Sequence, residues 1–134
     1  MVVFIDTGAW IARYLRRDQY HSQALKSWKH IAKRQERCFT SNFVLNETFT
    51  YLARRSGPGF AVDKARNIYA SRDLVILRPI EEEELAALDF FEKFGDQQIS
   101  FTDSVSFALM SKHRLKRAFT FDRHFSMAGF STFP

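Results

Sequence analysis

One cysteine, three prolines and five glycines give this 134-residue chain little punctuation. Cys38 alone excludes an internal disulfide framework and a multi-cysteine zinc site, and fits a reducing cytoplasm. Apolar runs are short. Val2-Val3-Phe4-Ile5 is typical of them and far below the length of a membrane span, so no membrane partner is expected. The first residues carry no basic stretch and no small-residue cleavage site, so no signal peptide is expected. No G-x-x-x-x-G-K-[ST] loop is present, which excludes a P-loop NTPase. No H-E-x-x-H or Cys/His spacing points to a zinc hydrolase, and no serine elbow points to an α/β-hydrolase. Internal repeats, low-complexity stretches and Pro/Gly/Ser linkers are absent too, so one domain spanning residues 1–134 is expected.

Hydrophobic residues make up 46% and charged residues 26%, the balance of a folded globular chain rather than a disordered one. Fifteen phenylalanines supply much of the apolar area for a core. Twenty Lys and Arg against fifteen Asp and Glu leave +5, an excess that permits a polyanionic partner without requiring one.

Strand and helix patterns alternate along the chain. Val2–Ile5 is apolar on both faces, as a central parallel strand is. Asp6-Thr7-Gly8 ends it, and Ala9–Arg17 reads as a helix. His21–Arg37 reads as a second helix, with Ala24, Leu25, Trp28, Ile31 and Ala32 at helical spacing. Cys38–Thr40 is a strand, and Ser41 or Asn42 caps a helix that runs to about Arg55. Gly57-Pro58-Gly59 breaks the pattern before a helix over Ala61–Arg72. Leu74–Leu77 is a strand. Glu81–Phe94 is a helix whose four leading glutamates suit its dipole, and Gly95 stops it. Thr102–His113 is a helix opened by Thr-Asp-Ser. Ala118–Phe121 is a strand, Asp122–Phe125 a turn or short helix, and Phe130–Phe133 a last short strand. Right-handed crossovers then predict a mostly parallel sheet with helices on both faces, and sites beyond the carboxyl ends of its strands.

Four acids fall where that rule has force. Asp6 follows the first strand and Asp122 the Phe119-Thr120-Phe121 strand. Asp103 starts a helix after Ile99-Ser100-Phe101. Glu47 lies inside a helix between Phe43 and Tyr51, a core-facing position where a glutamate needs a partner. Each has a plainer reading as well. Asp6, Asp103 and Asp122 suit caps or turns, and Glu47 suits a buried ion pair with an arginine. Carboxylates gathered together resist ionising, and a divalent cation resolves the conflict. Oxygen ligands without a Cys or His cluster favour Mg²⁺ or Mn²⁺, which supports phosphodiester hydrolysis by an activated water.

Four segments carry a family resemblance: Val3–Thr7, Thr40–Thr48, Ile99–Ser104 and Phe119–Phe125. Their order and spacing resemble those of PIN-domain ribonucleases, closely the VapC type of toxin from toxin–antitoxin pairs, and the resemblance covers essentially the whole chain. It implies a three-layer α/β/α sandwich around a central, mostly parallel sheet. It also implies Mg²⁺- or Mn²⁺-dependent endoribonuclease activity, with Asp6, Glu47, Asp103 and Asp122 as the catalytic and metal-binding acids. Within that set it makes Asp6 and Asp103 the most direct ligands, with Thr7, Asn42 and Ser104 orienting the acids. The partners it implies are an RNA substrate, a cognate antitoxin protein, and a homodimer or larger toxin–antitoxin assembly.

Two other functions use similar parts. One is a non-catalytic PIN-fold module that binds RNA or an antitoxin. The other is a receiver-type phosphoryl acceptor, which does not call for a glutamate within a helix. Lys26, Lys29, Lys33 and Arg37 read as a solvated helix face, and Lys112, Arg114, Lys116 and Arg117 as a helix end. Arg123, next to the fourth acid, is the better candidate for a phosphate contact, while His124 reads as a turn or packing residue. Asp96 reads as structural, and Cys38 as inert core.

Overall fold

A computed structural model describes residues 1–134. Five strands form one sheet: β1 (Val2–Ile5), β2 (Arg37–Ser41), β3 (Leu74–Leu77), β4 (Arg117–Phe119) and β5 (Ser131–Phe133). Every pairing is parallel and the order is β3-β2-β1-β4-β5. Seven helices connect the strands: α1 (Thr7–Tyr14), α2 (His21–Lys33), α3 (Asn42–Ser56), α4 (Pro58–Ala70), α5 (Glu81–Lys93), α6 (Phe101–Lys112) and α7 (His124–Met127). This is the α/β architecture that the alternating pattern predicts.

The first strand takes the middle place because it is apolar on both sides. Val3, Phe4 and Ile5 are fully buried, and Phe4 pairs with Phe39 on one flank and Ala118 on the other. From β1 the chain winds outward through β2 and β3, then crosses back over the sheet and resumes at β4 on the other flank of β1. Right-handed crossovers put α1–α4 on one face and α5–α7 on the other. The aromatic residues divide accordingly. Trp10 and Trp28 pack at 4.8 Å between ring centroids, with Phe119 below Trp28. Phe107 gathers Phe90, Phe94, Phe125 and Phe130. The winding reverses between β1 and β4, and a crevice opens at their carboxyl ends.

Several boundaries differ from the sequence pattern for local reasons. The second helix stops at Lys33 rather than Arg37, because Gln35 takes a left-handed conformation (φ 53°) and Arg37 already pairs in β2. The fourth helix starts at Pro58, whose ring suits a first helical position, after Gly57 at φ 92°. Ser100 caps α6 and Phe101 begins it, so Thr-Asp-Ser lies within the helix rather than serving as its cap. Strand β4 ends at Phe119 instead of Phe121, and the buried Thr120 hydroxyl just beyond it reaches the Asp6 carboxylate. At the opposite sheet edge, Arg117 donates to the buried Glu36 at 3.0 Å.

Candidate active site

Asp6, Glu47, Asp103 and Asp122 all line one cavity of about 340 Å³ at the reversal point, together with Thr7, Gly8, Ile11, Ser100 and Phe121. Residues separated by up to 116 positions in the sequence therefore meet in one place. No lysine or arginine lines this cavity.

Asp6 stands where β1 ends and α1 begins. It occupies the N-cap position of α1, yet its side chain makes no capping bond. Instead Thr120 Oγ1 donates to Asp6 Oδ2 at 2.7 Å. Asp103 combines both of its sequence readings. It is the third residue of α6, where its N–H donates to Ser100 Oγ at 3.0 Å and its Oδ2 accepts from Ser100 N at 3.2 Å. That reciprocal pair closes the first turn of α6 and fixes the carboxylate against the cavity. Asp122 follows Thr120, whose Oγ1 accepts from Asp122 N at 3.0 Å. Asp122 Oδ1 in turn accepts from His124 N at 2.9 Å.

Glu47 departs from its expected core position. It is half-buried, forms no ion pair with an arginine, and accepts from Thr7 Oγ1 at 2.9 Å on the cavity wall. Its neighbours explain the difference. Val44, Leu45 and Thr48 take the fully buried stripe of α3, and Glu47 falls on the adjacent face toward α1.

Crowding leaves an electrostatic signature. Burial pushes the Asp6 carboxyl up to about 7, and the Asp103 charge adds to it. The Thr120 hydroxyl and the Thr7 backbone N–H oppose that rise, and Asp122 contributes a smaller upward push. Asp103 is pushed up to about 6 by burial first and then by Asp122, against the stabilising bonds to Ser100. Both carboxyls hold their protons more tightly than an ordinary carboxyl, because burial and the neighbouring acids disfavour the charged form. Their donor atoms are all oxygen, which suits a hard divalent cation.

Of the three residues expected to orient the acids, Thr7 does so. Ser104 instead bonds back to the Ser100 carbonyl at 3.3 Å, and buried Asn42 Oδ1 has no hydrogen-bond partner. Sequence reasoning missed Thr120, the residue that does most of this work. Its signal was a lone hydroxyl between two phenylalanines at the end of an apolar strand. His124 also lies closer to the acids than expected. Its Nδ1 is 2.8 Å from Asp122 Oδ1, though misaligned for a hydrogen bond, and both ring nitrogens are buried without a partner. One ligand atom each from Asp103, Asp122 and His124 falls within 4.8 Å of the others. Arg123 projects into solvent with no ion pair. Cys38 is buried, and burial pushes its thiol up to about 11, which fits an inert core thiol.

Comparison with known proteins follows the same outline. The family profile described as "PIN domain" matches residues 3–131. The chain is 35% identical over 129 residues to "23S rRNA-specific endonuclease VapC20" of Mycobacterium tuberculosis, covering 96% of this chain and 95% of that protein. A "VapC ribonuclease" of Archaeoglobus fulgidus is 28% identical over 130 residues, covering 95% of this chain and 81% of that protein. The crystal structure of Mycobacterium tuberculosis VapC20, titled a "Sarcin-Ricin loop cleaving toxin", superposes with a TM-score of 0.84 at 32% identity, covering 97% of this chain and 96% of that one.

Proposed function

The chain belongs to the PIN domain family, and from that premise we propose that it is an endoribonuclease that hydrolyses RNA phosphodiester bonds in the acid-lined cavity, as the toxin of a VapBC-type pair. One observation carries the reading: Asp6, Glu47, Asp103 and Asp122 share a cavity with no basic residue, at the point where the sheet reverses. Residues 1–134 act as one PIN domain in this reading.

The donor set fits Mg²⁺ or Mn²⁺, held most directly by Asp6 and Asp103, with Glu47 on the ion or its water and Asp122 completing the shell. Such an ion, when bound, lowers the pKa of a water and offsets charge on the scissile phosphate. The chain's own residues supply the alignment. Thr120 holds Asp6, Thr7 holds Glu47, Ser100 holds Asp103, and the His124 N–H holds Asp122. Each acid is thus oriented before substrate arrives, so reorganisation at the moment of reaction is small. Raised proton affinities at Asp6 and Asp103 make cation binding compete with protons, so activity rises with pH through the range about 6 to 7.

Two further features extend the proposal. Identity of 32–35% to a protein titled a toxin supports a cognate antitoxin as partner, in a homodimer or larger assembly. The same relative's name makes ribosomal RNA the first substrate to try.

The test uses purified protein, 23S rRNA and total RNA, with Mg²⁺ or Mn²⁺ present. Asp6→Asn and Asp103→Asn are each expected to keep the fold and abolish cleavage. Either variant cutting at the wild-type rate would overturn the site assignment.

A further inference from the structure

The acid cavity has no basic residue of its own to hold the backbone of a polyanion. Affinity for RNA has to come from surface beyond it. A second cleft of about 530 Å³ lies along the same two helices. Ile11 of α1 and Glu47 of α3 line the acid cavity. One turn further along each helix, Tyr14 and Tyr51 line the cleft, and a turn beyond Tyr51 stands Arg55. Arg16 and Arg17, just past the end of α1, complete its basic side.

We propose that this α1–α3 cleft holds the single-stranded RNA that flanks the scissile phosphate, with Arg16, Arg17 and Arg55 on backbone phosphates. The proposal rests on the nuclease reading above.

Charge and spacing support it. The three arginines are exposed and form no salt bridge. The one acid in the cleft, Asp18, spends its Oδ1 on the Tyr20 N–H at 2.9 Å. The Arg55 guanidinium lies 5.0 Å from the Tyr51 ring centroid, so it is braced rather than free. Glu47, Tyr51 and Arg55 follow one face of α3, and the distance from Glu47 to Arg55 is about 12 Å along the axis, a span of a few nucleotides. Guanidinium groups interleaved with tyrosine rings are the chemistry of single-strand recognition. Other basic residues are placed less well. Arg37 and Lys116 begin or precede β2 and β4, so they lie at the opposite sheet edge, and Lys112 is paired with Glu83.

The test compares wild-type protein with the triple variant Arg16→Gln, Arg17→Gln, Arg55→Gln. The control is Lys26→Gln, Lys29→Gln, Lys33→Gln on the exposed face of α2. RNA affinity is measured by fluorescence anisotropy in the Asp6→Asn background across a salt series, and KM on the cleaved RNA is measured in the active background. The arginine variant is expected to weaken affinity and raise KM about tenfold or more, and to flatten the salt slope by about 2, the value for three single-strand phosphate contacts. The lysine control is expected to match wild type. An arginine variant equal to wild type in affinity and salt slope overturns the cleft assignment while a cutting wild-type enzyme leaves the nuclease reading intact. Wild-type protein that never cuts RNA overturns the nuclease reading and this one with it. Retained RNA affinity with lost binding of a Glu-rich peptide assigns the cleft to a protein partner and also overturns the proposal.

Discussion

Thr120 touches two acids at once. Its hydroxyl hydrogen goes to Asp6, and its lone pair receives the Asp122 N–H. Thr120→Val keeps the shape and removes both bonds. Loss of the donor removes a contact that favours ionised Asp6, so the Asp6 proton affinity rises further. The rising limb of the cleavage pH profile is expected to move to higher pH, and stability to fall by about 1–3 kcal/mol. Thr120→Ser is expected to restore the pH profile, an outcome that packing alone does not produce. At this scale the sequence was partly readable. Asp6, Asp103 and Asp122 announced themselves by following apolar stretches. Thr120 did not, because a hydroxyl in a strand has many uses and only its three-dimensional neighbours select one.

Helix and strand boundaries divide along the same line. Leu74–Leu77 matches β3 residue for residue, since an apolar run between polar loops leaves no other choice. The start of α6 was misplaced by one residue, because both Ser100 and Thr102 are competent caps and the choice depends on which backbone N–H groups the side chain meets. Ser100→Ala is expected to cost about 1 kcal/mol in denaturant unfolding. Mn²⁺ binding, read by calorimetry, is expected to weaken as well, because Asp103 loses half of the reciprocal pair that holds it. Glu47 was misjudged by one helical face, since its spacing from Phe43 and Tyr51 could not say which side of α3 met the core. A different cost attaches to the far edge of the sheet. The Glu36 side chain is 1% exposed and depends on Arg117. Arg117→Met strands a buried charge and is expected to destabilise by about 3 kcal/mol, with part of the loss recovered when Glu36→Gln is added. Neither change is expected to alter the pH profile of cleavage.

Across the whole molecule, the acid cluster sets a pH dependence of stability. Asp6 and Asp103 in the folded, metal-free protein bind protons more tightly than an ordinary carboxyl at 3.8. Between about pH 4 and 7 the folded state therefore holds more protons than the unfolded state. Stability from these two groups is complete below pH 4 and declines as pH rises through 6 and 7. One pH unit of displacement is worth about 1.4 kcal/mol, so the decline over the interval amounts to several kcal/mol. In EDTA, the melting temperature of wild type is expected to fall relative to Asp6→Asn across that interval, and added Mn²⁺ is expected to reverse the difference. Parallel curves for the two proteins would contradict this account. The overall architecture was legible because one strand is apolar on both faces and strands alternate with helices. The winding reversal was not, since nothing local marks where a crossover changes direction.

That reversal divides ownership of the cavity. Strands β1–β3 bring Asp6 and Glu47, while β4 and β5 come with Asp103 and Asp122, and within the sheet the two sets adjoin where β1 lies against β4. A cut at the exposed Arg78 or Ile80, between β3 and α5, would leave each fragment with two of the four acids. Neither piece carries a working centre, so recovered cleavage on mixing them would report the two halves finding each other.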